Sequence, residues 1–212
     1  MGVVLDGAGL RLRNPVAADA ADLFALASNP EVTRFFSWGP YVDVDEAAAF
    51  IASLPGRRAR GEALELLVTA ADSGRVLGLT GLSELSPRDR RCTVGTWLGR
   101  DWWGTGVNRA SKALVLHLAF ELLGMERVTA WANTNNGRSR AALAGLGFAP
   151  EGVLRRWHRH GDTFHDVAVF SMLRDEWAAS ALAAVPIQSA GRPPRAFAVG
   201  AKPPAGLHTA FT

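Results

Sequence analysis

Between Trp102 and Asn108 the chain reads Trp-Trp-Gly-Thr-Gly-Val-Asn. Glycines at 104 and 106 let the backbone turn tightly and come close to a ligand. An amphipathic stretch opens at Val107, so the unpaired N–H groups of a helix's first turn would face whatever lies over that turn. Amide donors and the helix dipole together favour an anion there, which means phosphate or pyrophosphate. Arg109 occupies the place of the third glycine of a dinucleotide fingerprint, and no Gly-Lys-Ser/Thr is present, so a Rossmann site and a nucleotide triphosphatase loop are both excluded. Taken alone, the motif describes a tight turn as well as it describes an anion site.

Other reactive side chains are sparse. Cys92 is the single cysteine, which excludes an intrachain disulfide framework and a cysteine-rich zinc site. The histidines, among them His117, His158, His160 and His165, fall at no metal-ligand spacing, so no metal is expected. Lysine occurs only at Lys112 and Lys202, and arginine supplies the remaining basic charge. Arginines cluster at 57–60, 88–91 and 155–159. The first two clusters read as solvated faces, while the third could also be a basic rim that attracts anions.

The elements around the turn follow from periodicity and punctuation. Leu10–Arg13 alternates apolar and basic residues, as a strand does. Pro15 to Ser28 reads as a helix with proline in its first turn, stopped by Asn29–Pro30. Phe35–Tyr41 is an aromatic loop. Asp43 and Glu46 form a capping box that opens a helix over Val44–Leu54. Leu64–Ala71 and Arg75–Leu85 flank Asp72–Ser73–Gly74 as a hairpin, and Cys92–Leu98 is a third strand of this region. Beyond the turn, Val107, Ala110, Leu114 and Leu118 make one buried helical stripe. Val128–Trp131 is a short strand. Asn136 caps a helix ended by Gly147, and Val153–His160 with Phe164–Leu173 forms a last hairpin around Gly161–Asp162.

The totals bound the answer. The 212 residues, 48% hydrophobic, suffice for one domain with a full core, and the net charge of +3 is modest. No apolar run reaches the ~18 residues that would cross a bilayer, and the first eleven residues lack the order of a signal peptide. A cytoplasmic protein without membrane contact is expected. From Val185 onward Pro, Gly and Ala dominate, so residues 1–185 read as the domain and 186–212 as a flexible tail.

In this order of elements the sequence resembles the GNAT superfamily of acyl-CoA transferases, and within it the RimJ/RimL-like branch, which acetylates protein N-termini and small amines. The stretches that carry the resemblance are VGTWLGRDWWGTGVNRA, ANTNNGRSRAALAGLGFAPEGVLR and GDTFHDVAVFSMLRDEW. It implies an α/β (α+β) fold with a mixed, mostly antiparallel, twisted sheet of about six to seven strands flanked by helices. It also implies acetyl-CoA as co-substrate and a primary amine as acceptor, joined by direct attack in a ternary complex.

The resemblance assigns roles by position. The amides of Trp103, Gly104, Thr105, Gly106, Val107 and Asn108 would cradle the pyrophosphate. The family's Gln or Arg three residues before the first glycine is replaced by Asp101, with Arg100 beside it, so the grip would be mostly backbone. Trp97, Leu98 and Gly99 would bond the pantetheine arm like an added strand, with the N–H near Leu98 polarising the thioester carbonyl. Asn136 would bond pantetheine, and Ser139 would sit near the sulfur and help protonate the thiolate. The attacking amine must lose a proton, and Glu84 is the candidate base. Phe35, Phe36, Trp38 and Tyr41 would wall the acceptor pocket between the first helices and the last hairpin, with Asp166 either structural or facing the amine.

Other readings remain open at this level: another donor such as succinyl-CoA, a non-catalytic acyl-CoA-binding module, or a nucleic-acid binder, which would need a contiguous basic face. No nucleic-acid partner is expected. Self-association as a homodimer is an open possibility.

Overall fold

The capping box forms as read: Asp43 Oδ1 accepts from Asp45 N–H at 2.9 Å and Glu46 Oε1 accepts from Asp43 N–H at 3.2 Å. In the computed structural model, which describes residues 2–197, it opens the helix Val44–Ala59. That helix runs past the expected stop at Leu54. Pro55 lies inside it, and its missing N–H removes one helical bond without ending the run. The stretch expected as one helix from Pro15 begins instead as a 3-10 turn at Ala17–Asp19 and continues as α1 (Ala20–Ala27). Asn29 does more than stop it. Its Oδ1 accepts from Glu31 N–H at 2.9 Å and caps the short α2 (Pro30–Thr33). Val44–Ala59 is therefore α3.

Among the described residues the strands are β1 (Val4–Gly7), β2 (Leu10–Arg13), β3 (Ala63–Ala70), β4 (Val76–Ser86), β5 (Arg91–Leu98), β6 (Arg127–Asn133), β7 (Ala149–His160), β8 (Thr163–Leu173) and β9 (Ile187–Ala190). They form one sheet in the order β7-β8-β6-β5-β4-β3-β2-β1-β9. Only the β5–β6 pair is parallel. The mixed, mostly antiparallel sheet is thus as expected, but it has nine strands and not six to seven. One extra strand comes from the Ala8–Gly9 turn, where both residues take positive φ (50° and 75°) and fold β1 onto β2. An alanine in that conformation gives no warning in sequence. The other comes from the stretch read as tail: Ile187–Ala190 pairs antiparallel with β1, and Phe197 is fully buried in the core. The flexible reading is corrected for 187–197, and the rest of the expected tail lies outside the described residues.

Two apolar layers sandwich the sheet. On one face pack α4 (Val107–His117), α5 (Gly137–Gly145) and α6 (Arg174–Ala178), with Leu114, Leu118, Phe120, Leu143 and Trp177 in the larger core. On the other, Leu23 of α1 with Ala47 and Ile51 of α3 cover Leu67 and Leu79 in a smaller core. Each fully buried leucine contributes roughly 1.5–3 kcal/mol of burial. The helical stripe places Leu114 and Leu118 at 0% exposure, and α4 runs on into a π-helical turn at Leu118–Leu122. No helix among the described residues is long and apolar enough to cross a membrane.

Candidate active site

The parallel pair β5–β6 is where the sheet opens. Its register runs from Arg91↔Arg127 to Val94↔Ala130 and stops there. Beyond that point Gly95–Leu98 stays on β4 and Trp131–Asn133 stays on β8. Two strand edges therefore face each other across a wedge.

The ladder fixes which groups face the wedge. Gly99 N–H bonds Leu77 C=O at 2.9 Å, which makes Gly78↔Leu98 and Thr80↔Thr96 the non-bonded pairs of the β4–β5 ladder. The backbone groups of Thr96 and Leu98 thus point away from β4 into the gap, whereas those of Trp97 bond Leu79. Of the expected main-chain partners, Leu98 directs its N–H into the gap, as Thr96 does, whereas Trp97 and Gly99 have theirs engaged in the sheet. Leu98 C=O accepts from the Trp103 indole N–H at 3.0 Å. On the facing edge Thr134 N–H bonds Asp166 C=O at 3.0 Å, so the backbone groups of Trp131 and the Asn133 N–H are likewise directed into the gap, while Asn133 C=O accepts from Asn136 N–H at 2.8 Å.

The glycine turn closes the mouth of this wedge. Gly104 (φ +75°) and Gly106 (φ +90°) adopt the left-handed region, and a Cβ built on either would meet nothing within 4 Å. The glycines are needed for the turn, and the space over them is open. Gly106 stands at the N-cap of α4 with no side-chain cap and Thr105 Oγ1 donates to Trp102 C=O at 2.8 Å, so the first amides of α4 are left without a side-chain acceptor, an arrangement that suits an anion. Two guanidinium groups lie over the Trp103 ring, Arg138 at 3.2 Å and Arg100 at 4.8 Å from its centroid. Arg100 also pairs with Glu31 at 2.6 Å. Burial and then Arg100 lower the pKa of Arg138, as expected where cations crowd and await an anion.

The cleft encloses about 260 Å³ and runs from this turn to the apex at Val94 and Ala130. Asn136 and Ser139 line it from α5. Asn136 Oδ1 accepts from Ser139 N–H at 3.1 Å, so its cap function and an exposed amide N–H₂ coexist. Phe35 and Phe36 line the opposite wall. Trp38 is one ring removed, 5.2 Å from Phe36 and 5.6 Å from Trp97. Tyr41 stands behind it at 5.4 Å and packs into the smaller core, and burial raises the pKa of its hydroxyl. His158 on β7 and Trp131 on β6 complete this side.

Besides Trp38 and Tyr41, which stand behind the lining, Glu84 and Asp166 do not reach the cleft. Glu84 is exposed at a β4 bulge with φ +50°, beyond the apex, where it accepts from Thr93 Oγ1 at 2.8 Å. Asp166 accepts from Arg156 N–H at 2.7 Å and holds the bulge of β7, where Arg156 takes φ +51°. Conversely, Lys112 lines the cleft from α4 at 4% exposure, and sequence reading passed over it. The cue was present, because it is the one lysine of α4 and directly precedes the apolar run Ala113–Leu116.

An open strand edge, an anion cradle at one end and a narrow apex at the other suit a long ligand with a polar backbone and a phosphate head. That is the build of an acyl-CoA transferase cleft. The sequence matches the family model of the acetyltransferase (GNAT) domain over residues 9–149. The chain belongs to the GNAT family and is an N-acetyltransferase. It is 29% identical over 169 residues to the uncharacterized N-acetyltransferase p20 of Bacillus licheniformis, across 80% of this chain and 95% of p20. Its fold superposes on a GCN5-related N-acetyltransferase from Brucella melitensis with a TM-score of 0.75 at 24% identity, covering 83% of this chain and 80% of that one. It also superposes on the microcin C7 self-immunity acetyltransferase MccE, solved in complex with acetyl-CoA and AMP, with a TM-score of 0.70 at 19% identity, covering 78% and 93% of the two chains.

Proposed function

We propose that this protein moves an acetyl group from acetyl-CoA to a primary amine by direct attack in a ternary complex. The observation that carries this reading is the wedge itself, in which β5 loses its partner after Val94 just upstream of the Gly104–Gly106 turn. The pantetheine arm would add to the open edge of β5 as a short strand, bonding the backbone of Thr96 and Leu98. The pyrophosphate would rest on the amides of residues 103–108, with Arg100 and Arg138 nearby. Leu98 N–H would hold the thioester oxygen as negative charge develops on it. Asn136 would reach the arm from α5, and Ser139 Oγ would bond the sulfur.

The amine would enter from the face walled by Phe35, Phe36 and Trp131, opposite α4. His158 lines that side and is the group placed to take its proton, directly or through water, in preference to Glu84. Attack by the neutral amine forms the C–N bond, the C–S bond breaks, and the thiolate leaves with its electron pair. The acceptor class we favour is the protein N-terminal α-amine or a small amine of comparable reach, in keeping with the RimJ/RimL-like resemblance.

Thermal melting with acetyl-CoA tests the first half. At a hundredfold excess over Kd the ligand adds about 2.7 kcal/mol, which is a rise of roughly 5–10 °C for a domain of this size. An unchanged melting temperature would refute the reading. Thiol release with a panel of N-terminal peptides, polyamines, amino sugars and amino acids, run in parallel with acetyl-CoA and succinyl-CoA, tests the second half. A peptide as best acceptor supports the RimJ/RimL-like assignment. Preference for succinyl-CoA would replace the donor, and binding without release by any amine would favour a non-catalytic module.

A further inference from the structure

Lys112 is a cation where the fold gives a cation no reason to be. It stands on α4 at 4% exposure between the fully buried Ser111 and the buried Ala113, on the face that packs against the sheet. No carboxylate among the described residues is paired with it. Its Nζ donates to Thr96 Oγ1. Thr96 Oγ1 in turn lies 2.6 Å from Thr80 Oγ1, which donates to Gly95 C=O at 3.1 Å. The two threonines are cross-strand partners, so the ammonium is anchored to β4 and β5 at the residue where β5 has already left β6.

An ammonium carries three donors. One is engaged by Thr96, and Lys112 is among the residues that line the cleft. Burying a polar group without a partner is costly. Among the described residues Nζ has no other hydrogen-bond partner, and the carbonyl oxygens of a ligand in the cleft would supply one. Both amides and the thioester of an acyl-pantetheine arm supply carbonyl oxygens at that depth.

We propose that Lys112 is a binding residue for the acyl-pantetheine arm, donating from its ammonium to a carbonyl oxygen of the arm, so that acyl-CoA binding draws a proton into the cleft. This rests on the acyl-CoA reading above. Burial lowers the pKa of free Lys112 to about 7 and is the only cause acting on it, so no neighbouring charge sets its state. From β5 the other titratable group on this face is the Cys92 thiol, pushed up to about 12 by burial and hence neutral. On β1 and β2, Asp6 is paired with Arg11, and Arg13 with Asp19. Arg109 and His117 share α4, Glu121 follows it, and His158 and Arg138 border the cleft. A bond donated to the ligand favours the charged form and raises the pKa of Lys112.

The scarcity of lysine makes this directly measurable. Protein grown with lysine carrying 13C at Cε gives two side-chain signals, from Lys112 and Lys202, and Lys112→Arg identifies them. In the free protein the Lys112 signal should titrate near neutrality. With saturating acetyl-CoA its midpoint should rise by at least one pH unit, whereas adenosine 3′,5′-bisphosphate, which has phosphates and no arm, should leave it within a few tenths. A midpoint that stays or falls with acetyl-CoA overturns the proposal, and so does an equal rise with the nucleotide, since phosphate charge would then be the cause. If acetyl-CoA neither shifts any signal nor raises the melting temperature, the coenzyme reading itself has failed. If it raises the melting temperature while Lys112 stays put, only the role of Lys112 has.

Discussion

Strand β5 is treated in two ways along its length. Its first half, Arg91–Val94, is paired on both sides, by β4 and by β6, and its buried residues Cys92 and Val94 sit in the larger core. Its second half, Gly95–Leu98, is paired on one side only and leaves backbone groups of Thr96 and Leu98 pointing into a cleft. The closed half locks the helices to the sheet. The open half withholds satisfied hydrogen bonds that a ligand can complete. One strand thus supplies a doubly paired anchor and an open edge, and the boundary between them is Val94.

Four changes would break or sharpen that division. Leu82 faces Val94 across the β4–β5 ladder at 1% exposure, so Leu82→Ala strikes the closed half. It should cost ~2–5 kcal/mol of stability in denaturant unfolding, while acetyl-CoA affinity measured on the folded protein stays near wild type. Gly104→Trp strikes the open half, because a bulky side chain would fill the space over the turn and sit badly at φ +75°. Acetyl-CoA should bind roughly a hundredfold more weakly, about 2.7 kcal/mol, with the melting rise lost. Retained affinity would remove the turn from the site. Ser139→Ala should leave binding intact and slow turnover about tenfold, ~1.4 kcal/mol, and equal turnover would exclude Ser139 from the mechanism.

The smallest effect belongs to Glu151, which binds Arg127 at the base of the closed half and accepts from Ser171 Oγ at 2.8 Å. The Arg127 hydrogen bond lowers its pKa, so the stabilisation is full above the unfolded carboxylate value of about 4.3 and fades as pH falls through the lower folded value. The pair is partly exposed and is worth less than about 1 kcal/mol. Wild type should lose slightly more melting temperature than Glu151→Gln between pH 5 and pH 3.

Much of this division was legible where the signal is local. The glycine turn, the Asp43–Glu46 box, the Asn136 cap and the two hairpins rest on residues within a few positions of each other, and they form as expected. The wedge was accessible only through resemblance, because the point where β5 parts from β6 is a pairing between strands more than thirty residues apart and leaves no mark in either strand's own pattern. For the same reason the sequence does not show that the backbone N–H groups of Trp97 and Gly99 face β4: the alternation is visible, but its phase relative to β4 is not. Lys112 and Thr96 lie sixteen residues apart and meet only once the helix has crossed back over the sheet. Glu84 was misplaced because the bulge between Ser83 and Ser86 turns it outward past the apex.

The pairing of Ile187–Ala190 with β1, together with the insertion of Phe197, has a practical reach. A chain trimmed at the compositional boundary near residue 185 would bare the hydrogen-bonding edge of β1 and remove the fully buried Phe197 ring from the larger core. Such a fragment would carry every residue of the cleft and still tend to pair edge to edge with its own kind. The last strand is a cover plate, and expression of the catalytic half without it is a recipe for aggregation.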